Sequence, residues 1–246
     1  MPWRDDVTLH RQIVLHQLAE HSLGEPPEIL VGRDAWLPRD AKQRLDEVVR
    51  DDLAEVGLLS RGRLREDFYD ALALLARPAL EIFGWVQSGE YGHYAVAVAR
   101  SGRNAVVVLR RDEWVRLMPA NPETAVEHWI EQIPAFGAGA GLTISLPEAD
   151  APWTANARPT PESRRLEAVL NLPRYGGGQV HAAVRQGGSR RSARPALTYL
   201  DTEQGRWLIG FDREQSRDRW VTFTPATQQA FVRKITDLID LTDTVR

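Results

Sequence analysis

One short segment of this chain is written twice. Trp114-Val115-Arg116-Leu117-Met118-Pro119-Ala120 recurs 106 residues later as Trp220-Val221-Thr222-Phe223-Thr224-Pro225-Ala226. A helical pattern follows each copy. Ala125, Val126, Trp129 and Ile133 lie at helical spacing after the first, and Phe231, Val232, Ile235 and Ile239 occupy the same offsets after the second. A strand and a turn into an amphipathic helix, repeated once, predict two similar halves about a pseudo-two-fold axis. Two copies are too few for a solenoid, which needs at least about three repeats. Symmetric positions usually serve the fold, so Trp114 and Trp220 are expected to anchor equivalent cores.

The spacing elsewhere fills in the halves. Leu9, Ile13, Val14, Leu18 and Leu23 predict a helix from Thr8, stopped by Gly24, Pro26 and Pro27. A Trp36-Leu37-Pro38 turn leads to a second helix from about Arg39 to Val56, with Leu45, Val48, Val49, Leu53 and Val56 inward and Gly57 as its C-cap. A third, Leu64 to Ala76, presents Leu64, Phe68, Leu72 and Leu75 and ends at Pro78. The period then changes from 3.6 to 2. Strands are expected through Leu80–Trp85, Tyr94–Val98, Ala105–Leu109 and Trp114–Met118, with Ala95, Ala97 and Ala99 forming a face that another layer can approach closely. Asn121 and Pro122 start the helix that runs to Ile133.

Residues 134–163 are rich in Pro, Gly and Ala and read as a linker, interrupted by an apolar stretch at Leu142–Leu146 that fits a strand. Arg164–Leu172 fits a short helix. Tyr175-Gly176-Gly177-Gly178 reads as a turn before strands at Gln179–Arg185, Ala196–Leu200, Arg206–Phe211 and Arg219–Thr224, and a terminal helix spans about Thr227–Leu241. The expected class is α+β: a single domain over 1–246, with halves 8–134 and 164–246 joined by 135–163, a continuous central antiparallel sheet and flanking helices.

Composition narrows the chemistry. The absence of cysteine excludes disulfides, thiolate metal sites and a cysteine nucleophile. No apolar run reaches the ~18 residues of a membrane-spanning helix, and Met1–Asp6 is not a basic region leading into an apolar stretch, so a cytosolic protein is expected. The net charge of −3 leaves room only for local nucleic-acid footprints. The six histidines never fall at the i, i+4 spacing that a helix offers to zinc, so no metal is expected. Gly137-Ala138-Gly139-Ala140-Gly141 is not a phosphate loop, because a helix precedes it and a strand follows, the reverse of what phosphate binding at a helix N-terminus requires. No Gly-X-Ser-X-Gly elbow and no isolated carboxylate pair is present. No catalytic constellation is found, and no cofactor is called for.

What remains points to binding. Arg185, Arg190, Arg191 and Arg194 crowd one loop between strands, either as a solvated hairpin tip or as a contact for an acidic partner. In the strand Arg206–Phe211, Trp207, Ile209 and Phe211 share one face, which is core if covered and a docking surface if not. The helices at 40–56 and 64–76 followed by strands also allow a winged-helix nucleic-acid binder or regulator. Glu66, Asp67 and Asp70 on its recognition helix, against Arg65 alone, would repel phosphate.

The order of these motifs resembles the EspG family, the cytosolic specificity chaperones of actinobacterial type VII (ESX) secretion systems. The residues that carry it run from Leu53-Ala54-Glu55-Val56-Gly57-Leu58 to Leu74-Leu75-Ala76-Arg77-Pro78, then through Ala95–Leu109, Leu117-Met118-Pro119-Ala120 and Ile133-Pro134. They continue at Gly178–Gly187 with Arg190 and Arg191, Asp201-Thr202-Glu203-Gln204-Gly205-Arg206-Trp207 and the second repeat copy, spanning residues 8–241 in all. The resemblance implies a non-enzymatic chaperone without cofactor that binds the apolar tip of the PPE protein in a PE-PPE heterodimer or similar helical hairpin. It also implies docking through the central sheet, the loop Ser101-Gly102-Arg103-Asn104 and the last helix. The partner-binding residues expected on this basis are Arg103, Arg190, Arg191, Arg194, Tyr199, Trp207, Ile209 and Phe211.

Overall fold

The computed structural model describes residues 3–31, 39–192, 194–213 and 219–244, so the expected Trp36-Leu37-Pro38 turn and the side chain of Leu45 lie outside the described residues. Strand β1 (Val7–His10) leads into α1 (Arg11–Glu20), then come α2 (Arg39–Glu55), the small hairpin β2 (Leu59–Ser60) and β3 (Arg63–Leu64), and α3 (Glu66–Ala76). The meander β4 (Leu80–Ser88), β5 (Gly92–Ser101), β6 (Asn104–Arg111) and β7 (Trp114–Ala120) ends in α4 (Ala125–Ile130). The second half opens with β8 (Ile144–Pro147) and α5 (Pro161–Leu170). It continues through β9 (Arg174–Gln186), β10 (Ser189–Ser192), β11 (Leu197–Thr202), β12 (Gly205–Arg213) and β13 (Arg219–Pro225) to α6 (Gln228–Thr244). No helix among the described residues is long and apolar enough to cross a membrane.

All strands except β2 and β3 join one sheet, ordered β1-β7-β6-β5-β4-β9-β11-β12-β13-β8, with β10 paired to β9. From either edge inward the order is the same: a short strand, then the meander read backwards. That is the order a two-fold axis between β4 and β9 would produce. The two halves meet where β4 and β9 pair antiparallel, Gly84 opposite Val180. A Cβ on Gly84 would lie 2.0 Å from the Gln179 carbonyl oxygen and 3.0 Å from the Trp129 ring, so this seam requires glycine.

Several expected boundaries move. Thr8 starts no helix: Val7–His10 pairs with β7 as an edge strand, and the helix begins at Arg11 once that ladder ends. Leu9 is nonetheless buried, as its apolar character requires. Tyr175–Gly178 is not a turn but the first part of β9, paired to both β4 and β11. Residues 135–163 are not a plain linker, because Ile144–Pro147 extends the sheet beyond β13 and so joins the second half. Val49 and Leu53 of α2 are buried, but Val48 and Val56, the residue just after α2, are exposed: among the described side chains, α2 faces the body along one stripe.

Each sheet face has its own core. On one, α4 and α6 cover both halves, burying Ile82, Val96, Val98, Val180, Tyr199 and Leu208. Ala125, Trp129, Phe231 and Ile235 supply the repeated helix face, and Trp129 meets Phe231 ring to ring at 6.3 Å. Full burial of side chains of this size is worth about 2–3 kcal/mol each. On the opposite face, α1 and α3 pack over the first half on Ala95, Ala97 and Ala99, the close approach that small residues allow. Over the second half, α5 buries Leu166 and Val169 against Trp207, Val221 and Phe223.

Candidate functional site

Between the α1–α3 layer and the α5 layer a strip of the sheet is left open. It runs across β4, β9, β11 and β12, where strand alternation points Trp85, Gln179, His181, Thr198, Leu200 and Phe211 to one side. Trp85 is 40% exposed, and its ring meets Phe83 and His181 edge-on at 5.9 and 5.5 Å, while His181 stacks on Phe83 at 5.1 Å. Burial holds the His181 imidazole below its ordinary titration range. Nearby Arg190 and Arg194 push it the same way, and Glu28 opposes them.

Two open clefts border this aromatic group. One, of ≈ 640 Å³, lies beside Trp85 over the glycine-rich start of β9, with Tyr175 and Leu200 on its rim. The other, of ≈ 580 Å³, is walled by Arg190, Arg194, Arg219 and Phe211, with His181 in its floor. Arg190 donates to the Glu81 carboxylate at 2.8 and 3.1 Å, and its guanidinium lies 5.0 Å above the Phe83 ring. Glu81 sits in the sheet with its side chain almost fully covered. Desolvation raises its pKa, and the charge of Arg190 opposes the rise. The pair ties the β9–β10 hairpin to the first half.

The expected site residues separate into three groups. Arg190, Arg194 and Phe211 converge on the second cleft, with Ile209 half-buried beside them on the Trp207 core. Tyr199 and Trp207 are each 1% exposed, so neither forms part of the surface. Tyr199 faces α6, where it packs against Phe231, the Arg206 guanidinium of β12 lies over its ring, and burial raises its pKa. Trp207 does face the open side, but the Gly-Ala string lies on its indole: a Cβ on Gly139 would be 2.4 Å from the ring. Backbone bonds hold that string there, Gly139 N–H to Arg206 O and Arg206 N–H to Gly137 O. The glycines cover a tryptophan and link nothing loosely. Arg206 is buried with Asp201 at 2.8 Å and donates to Pro134 O at 2.9 Å, fastening the same segment.

The third group lies elsewhere. Arg103, on the β5–β6 turn, borders a small cleft with Trp3 and Asp70 that shares no residue with the arginine cleft. Arg191 is exposed on β10. The last helix covers the other face of the sheet and not the open strip. Trp114, an expected core anchor, is 58% exposed at the sheet edge against His10, while Trp220 is half-buried opposite Pro147. Trp85, His181 and Arg219 are the site residues that sequence reading missed. The alternation of Phe83 with Trp85 carried a signal, but only the covering layers reveal which residues stay open.

Nor does the arrangement resemble a winged helix. The strands after α3 belong to the large sheet, and Phe68, Leu72 and Leu75 pin α3 to its core. Among the described residues no group of three or more His, Asp or Glu is placed to hold a metal ion. Elsewhere, His16 lies 2.6 Å from Asp46 and joins α1 to α2.

The sheet is thus closed on one face and open along a central strip of the other. The chain belongs to the EspG family, whose model matches residues 15–237. Its fold is that of the Mycobacterium tuberculosis type VII secretion system chaperone EspG5, solved in complex with the PE25-PPE41 dimer, with a TM-score of 0.73 over 97% of each chain at 14% identity. No curated protein matches the sequence.

Proposed function

We propose that this protein is a cytosolic specificity chaperone of a type VII (ESX) secretion system. It holds the apolar tip of a PPE-type helical substrate within a PE-PPE pair, keeps it soluble and passes it to the secretion machinery, without catalysing a reaction. The observation that carries this reading is the open strip with its exposed Trp85, flanked by an arginine cleft, on an EspG-family fold. Aromatic side chains and arginine supply a disproportionate share of interface anchors. Family membership and the likeness to EspG5, itself solved with a PE25-PPE41 dimer, support the identity of the partner.

On this reading the docking surface is centred on Trp85, His181 and Phe211, with Arg190, Arg194 and Arg219 on its rim. Tyr199 and Trp207 hold the platform from within. The test is co-expression of the full chain with each candidate secreted helical pair of the source organism, followed by affinity isolation. At least one pair is expected to remain soluble in a stoichiometric complex. Failure of every pair would overturn the chaperone reading.

A further inference from the structure

Three arginines from separate segments face one cleft: Arg190 on β10, Arg194 between β10 and β11, and Arg219 at the start of β13. Two of them lie on rings that set their planes, Arg190 over Phe83 and Arg219 over Phe211 at 5.1 Å. Their existing partners use part of their capacity. Arg190 gives its Nε and one Nη to Glu81, and Arg219 directs its Nε to Glu148 at 3.3 Å. A guanidinium carries five N–H donors in a planar fork, so each retains N–H groups for the cleft. Arg194 makes no ion pair among the described residues.

Among the described residues, the lining of the cleft is mainly basic. Among its described lining residues Glu28 is the only carboxylate, against three arginines, two of which also pair with Glu81 and Glu148 outside the lining. Glu28 is half exposed and stands 3.6 Å from Arg190, outside good hydrogen-bonding distance. Glu81 and Glu148 hold the guanidiniums from behind. The geometry therefore presents fixed, unsaturated donors around a space that an anion of the partner fits, with the half-buried rings of His181 and Phe211 beside it.

We infer that this cleft is a carboxylate site for the partner's tip. An aspartate or glutamate side chain binds Arg194 and the outward N–H groups of Arg190 and Arg219, displacing Glu28, while neighbouring apolar residues of the tip rest on Phe211 and His181. The inference takes the partner's identity from the chaperone reading and its chemistry from the cleft alone.

The experiment has two arms, both on the full chain. In the first, a captured helical pair is titrated against wild type and the Arg194→Gln/Arg219→Gln double variant, with melting curves as the folding control. The double variant is expected to bind about ten-fold more weakly, and Arg194→Lys/Arg219→Lys to recover part of the loss. Binding within about two-fold of wild type would overturn the carboxylate site and leave the chaperone reading standing. In the second arm, fluorescein-labelled hexaglutamate and hexaglutamine are titrated at low salt, which decides the matter even if no pair is captured. Hexaglutamate is expected to bind wild type and lose binding in the double variant, with hexaglutamine inert. The absence of hexaglutamate binding, or its displacement by an oligonucleotide at lower concentration than by free hexaglutamate, would overturn the inference.

Discussion

Each half orders a short edge strand, four antiparallel strands and a closing helix in the same way, yet their open-side covers differ. Over the first half, α1 and α3 bury a continuous layer from Leu9 and Ile13 to Phe68 and Leu72. Over the second, the cover is α5 with the segment that lies on Trp207, and it ends before β9 and β11. The strip that results lies near the seam and belongs to neither repeat copy. The two halves share their strand order but are unequally covered, and that difference in cover leaves the candidate site open.

Two tryptophans, Trp207 under the second half's cover and Trp114 at the first half's edge, test this contrast most strongly. Trp207→Ala is expected to destabilise the fold by about 3–5 kcal/mol, because it opens a cavity beneath the Gly-Ala segment. Trp114→Ala, at an exposed edge, is expected to cost no more than about 1 kcal/mol. Urea denaturation of both variants measures the difference. Equal losses would mean that Trp114 belongs to a core after all, and the halves would then be more alike than the exposures indicate.

Trp85 separates surface from scaffold. Trp85→Ala is expected to leave the unfolding midpoint nearly unchanged and to weaken capture of a helical pair by about thirty-fold, the scale of a hot-spot anchor. Isothermal titration of the complex reads the second quantity, and undiminished affinity would move the docking centre off the strip.

The smallest expected effect concerns His181. Its folded-state pKa lies below the ordinary 6.5, mainly through burial, so the unfolded chain takes up the proton first as pH falls. The stability this provides is complete above pH 6.5 and is lost as pH drops through the lower folded value. His181→Phe keeps a ring on Phe83 and is expected to flatten that part of the stability profile. Denaturation curves above and below 6.5 decide it: an unchanged slope in the variant would assign the acid sensitivity to another group.

Much of the architecture was legible. The change of period at residue 79 separates helices from meander, the helix faces after the two Trp copies are inward as the spacing requires, and the alanine face of β5 does receive a helix layer. What misled were local cues whose meaning depends on distant partners. Val7–His10 carries apolar residues that suit a helix, but the open edge of β7 recruits it as a strand. The Gly-Ala string has the composition of a linker, but its small residues let a backbone lie on an indole. Trp207, Ile209 and Phe211 do share a face, yet that face is divided by what covers it.

The amino-acid sequence by itself determined the duplication, the α+β class, the lack of cysteine chemistry and the arginine-rich hairpin, because periodicity, composition and spacing are properties of the chain. Only the tertiary structure decided which residues of the open face form the surface. Exposure is set by the layers that pack from elsewhere: the glycine segment buries Trp207, while the gap between α1–α3 and α5 leaves Trp85 open and places Arg190, Arg194 and Arg219 around one cleft.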